Sequence, residues 1–143
     1  MKKLLLIYMV LSISLFAFET TENNINNNIL YNIEVICIYD GDTFFVNIPD
    51  VHWLIGSNIS VRIRGIDTPE IRGGTEETKE LARKSKEALI KLFEGRKITL
   101  YNLNRDKYFR ILADVEADDI DVKDYMIKNN YAKPYNGGTK DSW

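Results

Sequence analysis

The chain's 143 residues suffice for one core, and 45% hydrophobic with 28% charged content is the make-up of an ordinary globular domain. Its 19 Lys and Arg stand against 21 Asp and Glu, and two of the 19 are Lys2 and Lys3, so the body of the chain is mildly acidic. That argues against a protein whose main task is to coat nucleic acid, and it leaves room for an enzyme with a local basic cleft. The single cysteine, Cys37, excludes an internal disulfide, and the single histidine, His52, excludes a zinc site built from histidines.

Residues 1–18 read as a secretory signal peptide: Lys2 and Lys3 form a positive start, Leu4 to Phe18 is apolar and uncharged, and Ala17 offers a small residue for cleavage. The apolar run is shorter than the ~20 residues of a spanning helix, which leaves an uncleaved N-terminal anchor as the alternative. The expected location is therefore secreted, periplasmic or cell-envelope. Residues 19–32, with N-N and N-N-N runs, read as a flexible polar leader, and one domain takes residues 33–143, with structure beginning near Ile33.

Glu34 to Tyr39 is rich in β-branched residues and predicts a first strand, in which Cys37 reads as a small buried hydrophobe rather than a catalytic thiol. The Asp40-Gly41-Asp42 turn joins it to a second strand, Thr43 to Ile48, as a hairpin. Pro49 to Asn58 predicts a loop pinned by an apolar plug of Trp53, Leu54 and Ile55, followed by a third strand from Ile59 to Ile66. The period then changes. Thr75 is a fair helix N-cap, Glu76 and Glu77 suit the positive helix end, and Leu81, Ser85, Ala88, Leu89, Leu92 and Phe93 share one helical face up to Gly95. Arg83, Lys84, Lys86 and Lys91 fall mostly off that face and read as its solvated side.

A fourth strand, Lys97 to Leu103, and a fifth, Tyr108 to Glu116, are separated by a polar turn. Asp121 caps a second helix that runs through Lys128, and Tyr131 to Trp143 reads as an irregular tail. Five short strands, with a helix between the third and fourth and another after the fifth, predict an α+β fold that is mainly β barrel: the five-stranded Greek-key barrel called the OB-fold.

The stretch Val61 to Glu70, V-R-I-R-G-I-D-T-P-E, ends a strand in acids. Pro69 has no N–H and biases Thr68 toward extended backbone, so carbonyls are left beside carboxylates, the hard oxygen donors that Ca²⁺ takes. Taken alone, the stretch is equally a surface strand followed by an acidic turn.

Four pieces together, Asp40-Gly41-Asp42-Thr43, Arg62, Asp67-Thr68-Pro69-Glu70 and Asp106-Lys107-Tyr108-Phe109-Arg110, resemble the staphylococcal (micrococcal) nuclease family, the thermonuclease-like domains, over about Glu34 to Tyr135. The resemblance implies a secreted Ca²⁺-dependent endonuclease acting on DNA, RNA or both, with single strands preferred and 3′-phosphate ends. It implies Asp42 and Asp67 as carboxylate ligands of one Ca²⁺, with the Thr68 carbonyl as a further oxygen and Asp40 as an outer acid near the ion. Glu70 would be the general base, or would orient the attacking water. Arg62 and Arg110 would clamp phosphate oxygens, Lys107 and Tyr108 would contact a phosphate, and Tyr135 would stack on or hydrogen-bond to the nucleotide. Arg64 lies outside that set and reads as facing solvent.

Two departures stand out: Phe109 occupies the place where the family usually has glycine, and the family's third helix has no counterpart before Trp143. The reach of Arg110 thus depends on the turn that Phe109 occupies. The competing readings are a catalytically silent OB-type nucleic-acid-binding module and a purely structural Ca²⁺ site. Nothing marks a protein partner, membrane association depends on the N-terminal segment staying uncleaved, and a monomer is the default.

Overall fold

The computed structural model describes residues 28–140 and 142–143, so the signal-peptide reading and most of the leader lie outside the described residues. Strand β1 (Ile29–Ile38) turns at Asp40-Gly41-Asp42 into β2 (Thr43–Asn47), pairing antiparallel from Glu34 with Asn47 to Ile38 with Phe44. β2 in turn pairs antiparallel with β3 (Ile59–Ile63), setting Thr43 opposite Arg62. On its other edge β1 meets β5 (Ile98–Arg105), which pairs with β6 (Ile111–Ala117). The sheet closes because β6 also lies parallel to β3, with Val61, Arg62 and Ile63 opposite Ile111, Leu112 and Ala113. The result is the expected five-stranded α+β barrel of OB type.

Period-2 alternation fills the barrel. Ile111, Ala113, Val115 and Ala117 of β6 point inward, with less buried residues between them, and meet Phe44, Val46, Val61, Ile63, Ile98 and Leu100. Helix α2 (Glu76–Phe93) packs on this core through Ala88, Leu89, Leu92 and Phe93, and the Phe93 ring stands edge-on to Phe44 at 5.1 Å. Truncating a buried aromatic of this kind costs about 3–5 kcal/mol, so this pair is a main anchor of helix to barrel. Helix α3 (Val122–Lys128) adds Val122 and Met126, and its N-cap Asp121 accepts from Asp124 N–H at 2.8 Å.

Several sequence expectations shift. β1 starts at Ile29 rather than near Ile33, since Ile29 and Leu30 find partners in Tyr101 and Leu100; residues 29–32 thus belong to the barrel and not to the leader. Cys37 is exposed, because the β1 bulge between Val35 and Cys37 breaks the alternation that would have buried it. On α2 the buried position is Ala82, and Leu81 is 37% exposed. The predicted third strand breaks at Gly65, whose φ of +81° turns the chain, so that Ile66–Asp67 forms a separate short strand, β4. Tyr131 to Trp143 is not wholly irregular: β7 (Lys133–Pro134) pairs with β4.

The fifth strand starts at Ile111, leaving Tyr108 to Arg110 in the turn. The expected apolar plug does not form either: Trp53, Leu54 and Ile55 of α1 (Trp53–Gly56) are 63–71% exposed. Their loop is closed by polar bonds instead, Ile48 N–H to Gly56 O at 2.7 Å and Asn58 N–H to the Asn47 carboxamide at 3.1 Å. Among the described residues no helix is long and apolar enough to cross a membrane.

Candidate active site

The Asp40–Thr43 turn is fixed by close packing. A Cβ on Gly41 would lie 1.9 Å from Ser85 Oγ of α2 and 2.9 Å from Thr68 Cγ2, so the turn fits against the helix only with glycine there. Asp42 N–H donates to Asp40 Oδ1 at 3.2 Å, and Thr43 Oγ1 donates to Asp42 Oδ1 at 2.9 Å. Gly41→Ala therefore changes no charge yet overpacks the contact. It is expected to destabilise the protein by about 1–3 kcal/mol, read by thermal unfolding, and to weaken any function of Asp42.

Asp42 and Asp67 are 2% and 4% exposed, and one guanidinium spans both. Arg62 Nη1 pairs with Asp42 Oδ1, Nη2 lies 3.5 Å from Asp67 Oδ1, and Nη2 also donates to Ile66 O at 3.0 Å. Register explains the convergence: Arg62 stands opposite Thr43, one residue after Asp42, and Asp67 follows at the β4 turn. Burial and the like charge of Arg110 push Arg62 below the usual arginine range, partly offset by Asp40 and Asp67. Burial likewise raises Asp40, against the pull of Arg62 and the Thr43 hydroxyl.

Asp67 and Glu70 meet the chain's last turn. Lys140 Nζ sits 2.9 Å from Asp67 Oδ1 and 3.0 Å from Glu70 Oε1, and Trp143 Nε1–H donates to Asp67 Oδ2 at 3.2 Å. Burial works against the ammonium, but its bonds to the two acids outweigh that and hold Lys140 above the usual lysine range.

Arg110 is placed by Asp106, whose Oδ2 accepts from Arg110 Nε at 2.7 Å while Oδ1 accepts from the backbone N–H groups of Tyr108 at 2.8 Å and Arg110 at 3.1 Å. Burial opposes the Asp106 charge, yet these bonds win and hold its carboxyl below the usual range. Phe109 takes a φ of +65°, a left-handed conformation that costs a non-glycine residue about 1–2 kcal/mol. The turn absorbs that cost without turning Arg110 away.

One cavity of about 1170 Å³ is lined by Asp40, Asp42, Arg62, Thr68, Glu70, Lys107, Tyr108, Arg110 and Tyr135. Asp67 lies behind it, beside a smaller pocket shared with Thr68, Glu70, Lys140 and Trp143. All ten residues singled out in the sequence are thus brought to one region. Tyr135 is held by its N–H to Gly65 O at 2.9 Å and by its hydroxyl to Gly138 O at 2.9 Å. Lys86, read as solvated, forms part of the wall. Arg64 does not simply face solvent; it bonds to the backbone carbonyls of Asn102 and Leu112 and pairs with Asp114 at 3.4 Å. Asp106 belongs to the D-K-Y-F-R piece, but its grip on Arg110 is visible only in the structure, and no sequence motif includes Lys140 or Trp143.

The donor set fits a hard cation. Asp67 Oδ1 is buried and is met by cationic side chains, Arg62 Nη2 at 3.5 Å and Lys140 Nζ at 2.9 Å, whose place a metal cation would take. Among the described residues the Thr68 carbonyl accepts no backbone hydrogen bond outside the sheet ladders. No group of three or more His, Cys, Asp or Glu side chains placed to hold a metal occurs among the described residues, so two carboxylates would be the ionic part of such a site, with carbonyl and water oxygens filling the rest.

Residues 60–142, more than half of the chain, match the model of the family described as staphylococcal nuclease homologue. The chain belongs to the staphylococcal nuclease family. The matched segment carries Arg62, Asp67, Glu70 and Arg110; the Asp40–Thr43 turn precedes it and joins through the β2–β3 register. A probable staphylococcal-like nuclease of Oryza sativa subsp. japonica, CAN1, is 29% identical over 82 residues, 57% of this chain and 23% of that protein. A second from the same plant, CAN3, is 31% identical over 72 residues, 50% of this chain and 18% of that protein. A probable endonuclease of Phaeosphaeria nodorum, LCL3, is 36% identical over 64 residues, 43% of this chain and 22% of that protein. The chain thus spans less than a quarter of the length of these curated relatives.

Proposed function

We propose that this chain is a Ca²⁺-dependent endonuclease that hydrolyses phosphodiester bonds of DNA, RNA or both, prefers single strands, leaves 3′-phosphates and is exported. One observation carries the reading: Asp42, two guanidiniums and the exposed Glu70 carboxylate line one cavity, with the buried Asp67 directly behind it and joined to Asp42 through Arg62. Export rests on Lys2, Lys3 and the apolar run after them.

Asp42, Asp67 and the Thr68 carbonyl would hold the ion, whose charge offsets that of the phosphate and eases ionisation of a nearby water. Glu70 takes the proton of the attacking water. The water oxygen bonds to phosphorus as the bond from phosphorus to O5′ breaks; O5′ takes a proton from solvent, and the phosphate stays on the 3′ carbon. Arg62, released from the two acids, and Arg110 donate to the non-bridging oxygens, where charge builds in the transition state. Lys107 and Tyr108 hold the neighbouring phosphate and Tyr135 the nucleotide, while Asp40 tunes the field at the ion.

A silent OB-type binding module draws on a single observation, that Arg62 and Lys140 already neutralise the acids. End-group analysis of a synthetic single strand incubated with Ca²⁺ separates the two readings. New 3′-phosphate and 5′-hydroxyl ends support the enzyme, whereas a strand bound and left intact supports the module.

Lys140 also gives the ion a direct competitor. Lys140→Met is expected to tighten Ca²⁺ binding about two- to fivefold in a calorimetric titration, the scale of a partly exposed ion pair worth ~0.5–1 kcal/mol. Unchanged or weaker binding would remove Lys140 from the ion's surroundings.

A further inference from the structure

We propose that Phe109 is a stacking platform for an unpaired nucleobase beside the phosphate gripped at Arg110, and that it strengthens the preference for single strands. The proposal rests on the nuclease reading and adds to it a residue that contacts the base.

Phe109 carries two local costs. Its backbone is left-handed, with φ +65°, where glycine would be unstrained, and its side chain is 78% exposed. The ring joins none of the aromatic pairs among the described residues and lies outside the core cluster. The fold therefore gains nothing that offsets either cost, the pattern expected where function and not stability keeps a residue.

The platform is also rigid. Phe109 N–H donates to Asp106 O at 3.1 Å, Arg105 Nη1 donates to Phe109 O at 3.0 Å, and the Asp106 carboxylate ties down the residues on either side. A ring on a braced turn loses little freedom when a base settles on it. Its neighbours supply the rest of the grip. Tyr108 is 66% exposed, with Lys107 Nζ 5.0 Å and the Arg110 guanidinium 5.4 Å from its ring centre. Two cations thus flank two aromatic side chains along K-Y-F-R, the combination that holds a strand by its phosphates and its bases at once. A paired base is already stacked on both faces and has none to offer, so the ring favours unpaired strands.

The test uses the Glu70→Gln protein in Ca²⁺, so that bound nucleic acid stays intact, with a short single strand carrying 2-aminopurine and the matching duplex. The proposal expects the strand to bind with quenched fluorescence. Phe109→Gly should then bind it about tenfold more weakly and lose the quench, with the duplex little affected. Phe109→Leu keeps the apolar bulk and should behave like Phe109→Gly, while Phe109→Trp should keep both binding and quench. Phe109→Gly should melt at or above the parent temperature, which excludes misfolding as the cause. Parent-like binding and quench in both Phe109→Gly and Phe109→Leu would overturn the proposal. If the parent binds neither strand nor duplex, the nuclease reading fails and this proposal fails with it; tight binding of the parent with a loss confined to Phe109→Gly and Phe109→Leu leaves both standing.

Discussion

Glu70→Gln is expected to lower the rate of cleavage of denatured DNA by about 10²- to 10⁴-fold, the usual contribution of a positioned general base. The substitution keeps the shape of the side chain and removes its capacity to take a proton. Glu70 is 69% exposed on its side chain, so little stability depends on it and the melting temperature should hold. Its contact with Lys140 makes a second expectation: losing the charge frees the ammonium from one of its two acids, leaving only Asp67 at 2.9 Å. Substrate affinity should therefore change far less than turnover. An equal fall in both would make Glu70 a binding residue rather than a base.

Arg110→Ala carries the second large effect, a fall in turnover of about 10²- to 10³-fold, the scale seen when one preorganised donor to a developing oxyanion is removed. Asp106→Ala tests how that donor is placed. The carboxylate holds Arg110 at Nε and at the backbone N–H, so its loss should reduce turnover by a smaller factor while leaving the charge of Arg110 intact. The pH dependence has a definite sign. Asp106 in the folded protein lies below its ordinary range, so the bracing of the turn is present above the unfolded carboxylate pKa and is lost as pH falls through the lower, folded value. The Arg110 Nε–H resonance, followed by NMR on acidification, should move below the ordinary aspartate range; movement at or above that range would contradict the assignment.

Much of this was legible because the relevant signals are local. Alternation in β6 and the 3.6-residue spacing of Ala88, Leu89, Leu92 and Phe93 report directly on burial. D-G-D-T, D-T-P-E and D-K-Y-F-R each compress a turn and its chemistry into a few residues, which is why the acids and Arg110 are legible there, while Arg62 stands on the strand before D-T-P-E. What escaped depends on distant partners. Ile29 and Leu30 join β1 only because Tyr101 and Leu100 are there to pair with them. Cys37 is exposed by a bulge that leaves no mark in composition. Lys140 reaches Asp67 and Glu70 across some seventy residues of chain, and no local pattern in the tail announces it. Asp106 is different: an aspartate two residues before a backbone N–H that it can cap is a readable turn signal, and only its grip on Arg110 needed the structure.

At Phe109 a local signal and a structural one meet. The resemblance implies glycine at this position, and the left-handed backbone that Phe109 adopts is one that glycine would hold without strain. Arg110 consequently lines the same cavity as Asp42 and Arg62.

The Ca²⁺-dependent nuclease reading is tested most directly by cleavage of denatured DNA by the wild-type protein, with Ca²⁺ and with a chelator in its place. Strand scission is expected with Ca²⁺ and none with chelator, from a protein that remains folded in both. Scission undiminished by the chelator would contradict the role given to Asp42 and Asp67, and binding without scission under either condition would contradict the enzyme itself.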